Sequence, residues 1–331
     1  MVFIATPDPA TALGPGRSHG RGSRVVTSSG LVHDALFYED ESEYVAGIRE
    51  LGHAALAAGE PLLIAVPGRK VDILRAVFAD AGDRVEFADM SEAGRNPARI
   101  LPVIRSFIDS HADRPVRLVG EPIWAGRAPS EIVEAVRHEA LINAAFADTA
   151  AHIVCPYDAG ALGPGVLDDA RRTHPTLVCC GEHQPSSGYE DPLVVYAAAD
   201  RPLDEPEAPA VQLSLARGLA ELRRIAERWA LEAGLESDRA AAFVLAANEA
   251  AANTLRHAGG NGVARLWQGD RALVCELSDK GRIDDPFVGR RVPPAAEEGG
   301  RGLWLINQLC DLVELRSGAG GTVVRLHMET V

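Results

Sequence analysis

Three polar residues spaced four apart are the first sign of chemistry in this sequence. Glu249, Asn253 and His257 lie in the segment AAFVLAANEAAANTLRHA, which otherwise consists mainly of alanine, leucine and valine. This spacing places the three side chains on one face of an α-helix. A carboxylate suits a general base, and a carboxamide oxygen suits Mg²⁺, which prefers hard oxygen ligands. His257 suits contact with a phosphate, or equally a structural role at the negative end of the helix dipole.

Glycines and a strand-end carboxylate recur further along the chain. Asp279 ends the apolar run ALVCELSD, where it can accept a hydrogen bond from an amine such as that of adenine, and Gly281 lets a ligand approach the backbone. Gly300 and Gly302 open an apolar helical segment whose free N–H groups suit a phosphate. Thr322 starts the last strand with a hydroxyl in reach of the same ligand. Taken singly, such glycines are usually turns and such an aspartate is usually a cap.

These segments require a domain that brings them together. Strand patterns are present in VQLSL, VARLWQG, ALVCELSD, VELRSG and GTVVRLHM, and helix patterns in LAELRRIAERWALEAG, the segment around Asn253, and GLWLINQLCDLV. Helices on one face of a mostly antiparallel sheet make an α+β two-layer sandwich. We therefore predict such a domain over residues 210–331.

The preceding half of the chain predicts a different architecture. Over residues 31–195, apolar runs of strand length alternate with amphipathic helical segments, which indicates a three-layer, doubly wound α/β domain with a parallel sheet. Ligands of such sheets bind at the carboxyl ends of the strands. Polar residues follow two of the predicted strands, namely Glu121 with Trp124, and Tyr157 with Asp158. The segment VPGRK lacks the remaining residues of a phosphate-binding loop, so nucleotide binding is not predicted here.

Composition limits the classes of partner. The net charge of −14 disfavours direct nucleic-acid binding, because neutralising phosphates requires a basic surface. No run of about 18 apolar residues predicts a membrane span, and no signal peptide is recognisable, so we expect a cytoplasmic protein. The five cysteines lack metal-site spacing and are expected to be buried thiols. A Gly-, Ser- and Pro-rich tail at residues 1–30 is expected to be disordered, and residues 196–209 are expected to form a linker.

The order of the motifs in the second half is more specific than any one of them. E-x-x-x-N-x-x-x-H, then D-x-G, G-x-G-L and G-T, resembles the N box and glycine boxes of the GHKL (Bergerat-fold) ATPase superfamily. The forms ANEAAANTLRHA and GGRGLWLINQLCD…GGTVVRL are most similar to the RsbW-type anti-sigma regulatory kinases, over residues 210–328. The resemblance implies ATP and Mg²⁺ as cofactors and transfer of the γ-phosphate to a serine of an antagonist protein.

The resemblance also implies a role for each matching residue. Asn253 is expected to bind Mg²⁺, Glu249 to act as general base, and Asp279 to bind the adenine amine. The other expected nucleotide contacts are His257, Gly281, Gly300, Arg301, Gly302, Leu303 and Thr322. Ile283 replaces the second glycine of the D-x-G-x-G pattern, and the lid at residues 284–298 carries acidic residues and prolines.

Several motifs in the first half resemble the MEDS sensory domain. They are HDALFYEDESEY, GEPLLI, GEPIW, HEALIN, CPYD and THP, and the resemblance covers about residues 31–195. It implies a RecA/KaiC-like fold without the catalytic phosphate loop, and a sensory or partner-binding role with an undefined ligand. The candidate sensory residues are His33, Glu121, Trp124, Glu139, Asn143, Tyr157, Asp158 and His174. Each also fits a cap or a satisfied interior polar group. A metal site of His33, Cys155 and His174 is conceivable, although no local ligand spacing supports it.

Three functions are compatible with these patterns. The first is an ATP-binding anti-sigma regulatory factor and serine/threonine kinase, with a sigma factor and a STAS-type antagonist as protein partners and a homodimer as a further expectation. The second is a histidine-kinase-like signalling ATPase, for which His138-Glu139 superficially resembles a phosphoacceptor motif. The third is a non-catalytic module that sequesters a partner. Loss of phosphorylation in Glu249→Ala with binding kept would separate the first from the third.

Overall fold

The structure is a computed structural model that describes residues 30–179, 181–206, 208–294 and 300–330. The expected disordered tail lies outside this range except for Gly30. The described residues form two sheets, each with its own helices and hydrophobic core. None of their helices is both long enough and apolar enough to cross a membrane.

The first sheet is parallel over most of its width. Its neighbouring strands run in the order β3-β2-β4-β5-β1-β6-β7, and β6–β7 is the antiparallel pair. The strands are β1 (Val32–Tyr38), β2 (Leu62–Val66), β3 (Val85–Asp89), β4 (Val116–Gly120), β5 (Ala151–Asp158), β6 (Thr176–Cys179) and β7 (Glu182–Pro185). The parallel α/β prediction is thus confirmed, with one exception at the edge. Gly181 adopts a φ of 79°, a conformation open to glycine, and this allows the chain to reverse between β6 and β7.

Helices cover both faces of this sheet. They are α1 (Glu41–Ala58), α2 (Arg69–Val77), α3 (Met90–Ala93), α4 (Ile100–Ser110), α5 (Pro129–Ala145), α6 (Pro164–Thr173) and α7 (Pro192–Ala198). Successive strand residues point to opposite faces, so Ala35 of β1 belongs to the core under α4 and α5 while Leu36 belongs to the core under α1 and α2. His33, Cys155 and Tyr157 therefore lie on the face of the sheet that α4 and α5 cover.

Helix α7 extends across the predicted domain boundary at residue 195. It packs on α5, with Val195 buried and the guanidinium of Arg137 4.3 Å from the ring of Tyr196. The chain then crosses to the second sheet through residues 199–210.

The second sheet is antiparallel, with helices on one face. Its strands lie in the order β11-β12-β10-β9-β8. They are β8 (Val211–Ser214), β9 (Gly262–Gln268), β10 (Ala272–Asp279), β11 (Leu312–Gly318) and β12 (Gly321–Glu329), and the helices are α8 (Leu219–Glu232), α9 (Ser237–His257) and α10 (Arg301–Leu309). This confirms the predicted mixture of helices and an antiparallel sheet. Helix α10 ends four residues before the predicted Val313, because Cys310 is extended and the chain turns into β11.

The other face of the antiparallel sheet carries buried charge. Glu276 is 2% exposed and accepts hydrogen bonds from Arg265 of β9 and Arg325 of β12. The connecting segment lies against this face, because Arg325 also donates to the carbonyl of Asp204 at 2.6 Å and Arg316 donates to the carbonyl of Arg201 at 3.0 Å. Paired, hydrogen-bonded charges are the form in which ions are tolerated in an interior. The segment between the two sheets is therefore fixed in place along part of its length.

Candidate functional site

Helix α9 places the residues from the four-apart motif beside the end of β10. Its alanines at 246, 247, 250 and 251 are buried, and their small size lets the helix approach the sheet closely. Glu249 and Asn253 lie at the edge of this buried face and are half-buried. His257 is the last residue of the helix and is exposed.

Asp279 is held by two hydrogen bonds at the end of β10. Its Oδ1 accepts from the backbone N–H of Gly281 at 2.7 Å, and its Oδ2 accepts from the hydroxyl of Thr254 at 2.7 Å. Each carboxylate oxygen keeps a further lone pair, so the group can still accept a hydrogen bond from a ligand. Thr254 was missed at the sequence level, although its position next to Asn253 on the inner side of α9 was a usable signal.

The register of β10, β11 and β12 brings two hydroxyl side chains to Asp279. Thr322 of β12 lies opposite Asp279 of β10, and Ser317 of β11 lies opposite Thr322. The Thr322 hydroxyl donates to the carbonyl of Gly281 at 3.0 Å and accepts from Ser317 at 2.8 Å, while Ser317 also accepts from the N–H of Ile283. These bonds hold the loop after β10 against the sheet. Ser317 is a second contributor that the sequence patterns did not indicate.

Two glycines are required by close packing in the same region. Gly321 has a φ of 118°, and a Cβ there would lie 2.0 Å from the carbonyl oxygen of Asp279. A Cβ on Gly302 would lie 2.8 Å from the side-chain nitrogen of Asn253. The start of α10 therefore contacts the carboxamide of α9 directly, with no room for a side chain between them.

The N-terminus of α10 faces this carboxamide. Gly300 precedes the helix with a φ of 70°, and no side chain caps the first turn within the described residues. The first N–H groups of a helix have no partner within the helix and bind anions readily. Arg301 and Leu303 occupy this first turn, and Leu303 packs against the domain core.

These groups lie around residues 253 and 254 of α9. The carboxylate of Asp279 bonds to Thr254 and keeps spare lone pairs, and the first turn of α10, which no described side chain caps, lies against Asn253. Asn253 lies between them with its oxygen 3.4 Å from the nearest Arg256 nitrogen. Glu249 lies one helical turn before Asn253. The structure thus brings together most of the predicted residues, while His257 stays exposed at the end of α9.

In the first domain, the predicted sensory residues fall into separate places. Glu121, at the end of β4, accepts hydrogen bonds from Tyr38, Tyr44 and Lys70. Burial raises the pKa of Glu121, and the charge of Lys70 opposes that shift. Lys70 is the last residue of the incomplete loop VPGRK. Its ammonium donates hydrogen bonds to Tyr38 and Glu121 inside the protein.

Two further predicted residues have local structural roles. Trp124 stacks under the guanidinium of Arg127 at 4.3 Å, and Asp158 accepts from the N–H groups of Gly160 and Ala161 in the turn after β5. The remaining candidates, His33, Glu139, Asn143, Tyr157 and His174, lie together beside α5.

A second cluster lies beneath α5. His33, Cys155 and His174 surround Glu139, and their ligating atoms all lie within 4.8 Å of one another. Burial by itself raises the pKa of Glu139, but hydrogen bonding and charge interactions with His174 and His33 hold it below its usual range. Burial also lowers the pKa of His33, so its imidazole is neutral at pH 7. Asn143 accepts from the His33 ring, and Tyr157 packs edge-on against that of His174.

Comparison with protein families agrees with both halves of this description. Residues 32–175 match the family model described as MEDS, the methanogen/methylotroph DcmR sensory domain. Residues 213–328 match the model of the histidine kinase-like ATPase domain. The chain carries a MEDS domain followed by a histidine kinase-like ATPase domain.

Comparison with individual proteins adds little. No curated protein matches the sequence significantly. A crystal structure of the RsbU and RsbW domains of a protein from Mycobacterium tuberculosis is 20% identical, covers 37% of this chain and 32% of that chain, and has a TM-score of 0.28. The chain thus spans about a third of the solved chain it matches, and at this TM-score the match supports no conclusion about fold.

The MEDS domain contacts the lid of the ATPase domain. Phe287 packs into the MEDS core, and Arg290 forms a buried ion pair with Glu134 of α5 at 2.8 Å. Gly289 lies against Asn307 of α10, whose amide donates to the Gly289 carbonyl at 2.9 Å. The acidic residues at 297 and 298 lie outside the described part of the lid. The described part, up to Pro294, is therefore attached to both domains.

Glu134 connects three arginines at this boundary. Its carboxylate lies 2.6 Å from Arg316 of β11, 2.8 Å from Arg290 and 3.2 Å from Arg137. Arg137 also donates to the carbonyl of Leu315 in the ATPase domain at 2.7 Å. Burial by itself raises the pKa of Glu134, but the positive charges of Arg137, Arg290 and Arg316 outweigh it and lower the pKa. The carboxylate is thus ionised and fully paired.

A second contact reaches helix α10. Asn96 of the MEDS domain donates to the carbonyl and the side chain of Asn307, at 3.1 and 3.0 Å. Arg99 donates to the carbonyls of Asn307 and Cys310, both at 2.7 Å. The MEDS domain therefore binds the C-terminal half of the helix whose N-terminus lies against Asn253.

Proposed function

We propose that this chain is an ATP-binding anti-sigma regulatory factor and serine/threonine kinase whose MEDS domain controls its ATPase domain. The observation that carries the proposal is the convergence of α9, the end of β10 and the start of α10 on one cleft. Asp279 and Thr322 face each other across β10 and β12, and Asn253 touches Gly302. This is the arrangement expected of a Bergerat-fold nucleotide site.

Each residue of the proposed site has its own role in binding the nucleotide. Asp279 accepts a hydrogen bond from the adenine amine, Gly281 lies beneath the ring, and Thr322 bonds near the adenine through water. The N–H groups at Gly300 and Gly302, with Arg301 and Leu303, hold the phosphates at the helix N-terminus. Asn253 provides an oxygen ligand for Mg²⁺, and His257 contacts phosphate or stabilises the end of α9.

Glu249 is the proposed catalytic residue. It lies one turn before Asn253 and is half-buried at the cleft edge. A carboxylate in this position accepts the proton of the attacking serine hydroxyl. Bound Mg-ATP supplies the transferable phosphoryl group, so the protein's contribution is positioning and charge stabilisation.

The partner assignment rests on the form of the ATPase motifs. Their similarity to RsbW-type kinases supports a sigma factor and a STAS-type antagonist as protein partners, in a partner-switching circuit that controls transcription, and a homodimer as the assembly. The contacts of Asn96 and Glu134 with α10 and the lid support control by the MEDS domain.

The histidine-kinase alternative is less well supported. His138 is 1% exposed within the MEDS core, and burial lowers its pKa to about 3. A phosphoacceptor histidine must reach the nucleotide cleft of a catalytic domain, and a side chain in this position does not. We therefore keep a non-catalytic binding module as the competing function.

The test is affinity capture of the full-length chain from its host extract, with and without Mg-ATP, followed by phosphotransfer to any captured STAS protein. The proposal expects nucleotide-sensitive capture of a sigma factor or a STAS protein, and loss of this sensitivity in Asn253→Ala. Capture of a response regulator instead, or of neither class, contradicts it.

Glu249→Ala separates an enzyme from a pure binder. We expect phosphotransfer to be lost while nucleotide affinity and partner capture are retained. Glu236→Ala is the matched control, because Glu236 is an exposed glutamate at the start of the same helix that makes no capping hydrogen bond through its side chain. Unchanged phosphotransfer in Glu249→Ala would remove its assigned role, and no phosphotransfer by the wild type would favour the binding module.

A further inference from the structure

The cluster beneath α5 combines four side chains that commonly bind metal ions. From Oε2 of Glu139, the nearest atoms are Nε2 of His33 at 3.2 Å, Nε2 of His174 at 3.3 Å and Sγ of Cys155 at 3.4 Å. Sγ of Cys155 is 3.5 Å from Nε2 of His33. All four residues are at most 2% exposed. The sequence gives no ligand spacing, since these residues come from β1, α5, β5 and the end of α6.

These separations match a tetrahedral ion. Bonds of about 2.0–2.3 Å to a central Zn²⁺ place neighbouring ligand atoms roughly 3.3–3.8 Å apart. Four of the six separations fall in or at the edge of that range, and the other two, from Nε2 of His174 to His33 and to Cys155, are within 4.8 Å. Small adjustments of side chains are therefore sufficient to surround an ion.

Hydrogen bonds to Nδ1 of His33 and of His174 determine which ring nitrogen carries the proton. The Asn143 amide nitrogen donates to the carbonyl of Thr173 at 2.7 Å, so its oxygen faces Nδ1 of His33 at 3.1 Å and requires a proton there. Nδ1 of His174 lies 2.8 Å from the carbonyl of Ala170, which also requires a proton on Nδ1. In the neutral form of each ring, Nε2 therefore carries the lone pair, and it faces Glu139. This second shell is typical of metal-bound histidines.

The Cys155 thiol donates to Oε2 of Glu139, yet two other atoms of the cluster remain without a hydrogen bond. Oε1 of Glu139 and Nε2 of His174 have no hydrogen-bond partner among the described residues, although both are buried. Buried polar groups are rarely left unpaired in proteins. A bound cation would displace the proton of the Cys155 thiol into solvent and would then satisfy the carboxylate, both imidazoles and the thiolate at once.

We propose that His33, Glu139, Cys155 and His174 bind a divalent transition-metal ion, Zn²⁺ by donor set, in the core of the MEDS domain. The thiolate and imidazole ligands select against Mg²⁺ and Ca²⁺, which prefer oxygen. A cavity of about 30 Å³ adjoins Glu139 and Cys155 and is otherwise lined mainly by apolar side chains such as Leu63, Met90 and Ile104. It leaves space for one water-sized additional ligand on the metal.

The metal content of the full-length chain tests this site. The protein is purified without chelators, and its zinc is measured by mass spectrometry. We expect zinc equimolar with the chain in the wild type and in His152→Gln. His152 is the matched control, since it lies on the same strand as Cys155 but pairs with Asp34 at 2.7 Å outside the cluster. His33→Gln is expected to retain much less zinc.

Co²⁺ substitution identifies the ligands without relying on activity. The wild type is expected to show the intense visible bands of tetrahedral Co²⁺ and a near-ultraviolet thiolate band. Cys155→Ser, a nearly isosteric change, should remove the thiolate band, whereas Cys275→Ser, a buried thiol of the ATPase domain, should not. A folded wild type that binds neither metal overturns the proposal. Equal zinc and identical Co²⁺ spectra in the wild type, Cys155→Ser and His33→Gln would also overturn it.

Discussion

At the scale of single residues, Asp279 has the largest predicted effect on nucleotide binding. Asp279→Asn keeps the size of the side chain, but its amide oxygen is needed by the N–H of Gly281, so its NH₂ group is directed at other donors. Charged hydrogen bonds contribute about 1.5–3 kcal/mol, so we expect ATP affinity to fall roughly 10- to 100-fold by calorimetry. Asp270→Asn, at an exposed turn, is the control. Equal affinities in the two variants would remove Asp279 from the site.

Gly320 and Gly321 allow a matched test of whether a glycine is required by the backbone conformation and the close packing. Gly321→Ala should destabilise the ATPase domain by roughly 2 kcal/mol or more, because the new Cβ meets the carbonyl of Asp279 at 2.0 Å at a positive φ. Gly320→Ala meets no atom within 4 Å and should be nearly neutral. Urea unfolding of both variants measures the difference. Similar stabilities would contradict the close approach of β12 to the end of β10.

Asn143 is predicted to act through His33 and not by binding the ion. Asn143→Ala removes the group that fixes the His33 tautomer, so zinc affinity should fall about 10- to 100-fold, as is usual for outer-shell partners of metal-bound histidine. Competition with a chromophoric chelator measures the affinity. An unaltered zinc affinity would mean that the tautomer is fixed by another group.

At the scale of secondary-structure elements, α5 connects the two candidate sites. Glu134 and Arg137 on this helix contact the ATPase lid and β11, and Glu139 follows within about one and a half turns at the centre of the metal cluster. A change at Glu139 that shifts α5 must alter the contacts of Glu134. This gives the MEDS domain a direct physical route to the lid.

Glu134→Gln tests this connection. It leaves the guanidinium groups of Arg137, Arg290 and Arg316 without their shared anion in a buried setting, which costs about 3–5 kcal/mol when one partner of a buried pair is removed. We expect a lower unfolding temperature and faster hydrogen exchange in the lid around Phe287. Glu232→Gln, which breaks a surface pair with Arg228, should change neither. A lid with wild-type exchange in Glu134→Gln would show that this ion cluster does not hold it.

At the scale of the whole molecule, the domain boundary depends on ionised carboxylates. Asp311 bridges Arg95 of the MEDS domain and Arg239 of the ATPase domain, at 3.0 and 2.6 Å. Burial by itself raises the pKa of Asp311, but hydrogen bonds from Arg239, the Glu329 N–H and Arg95 lower it, as the arginines do for Glu134. Both carboxylates therefore favour the folded, docked state when ionised.

The sign of the pH dependence follows from these lowered pKa values. An unfolded carboxylate titrates near pH ~4, so the stabilisation is fully present above that value and is lost as the pH falls through the lower folded pKa. Burial lowers the pKa values of His33 and His138, so calorimetric unfolding temperatures should begin to fall below about pH 6.5, where the unfolded chain protonates these histidines. The carboxylates should add a steeper fall below about pH 4. Glu134→Gln should show a shallower decline. An equally steep decline in the variant would place the titrating groups elsewhere.

The sequence determined the local parts of this protein, because they depend on neighbours along the chain. Four-residue spacing placed Glu249, Asn253 and His257 on one helix, and alternating apolar runs predicted a parallel sheet followed by an antiparallel one. The motif order was enough to predict a nucleotide cleft with Asp279 at a strand end. Helix α10 was predicted too long, because apolar periodicity does not show where a helix turns into a strand.

Only the tertiary structure decided which distant residues meet. Strand register brings Thr322 and Ser317 to Asp279, and parallel crossovers bring Glu139 and Cys155 to His33 and His174. No local spacing encodes such contacts, since they arise when several elements bury their apolar faces together. The same is true of Glu134, whose three arginine partners come from α5, the lid and β11. A site whose residues lie on one helix can be predicted from their spacing in the sequence. A site whose residues come from several elements forms only when those elements pack together.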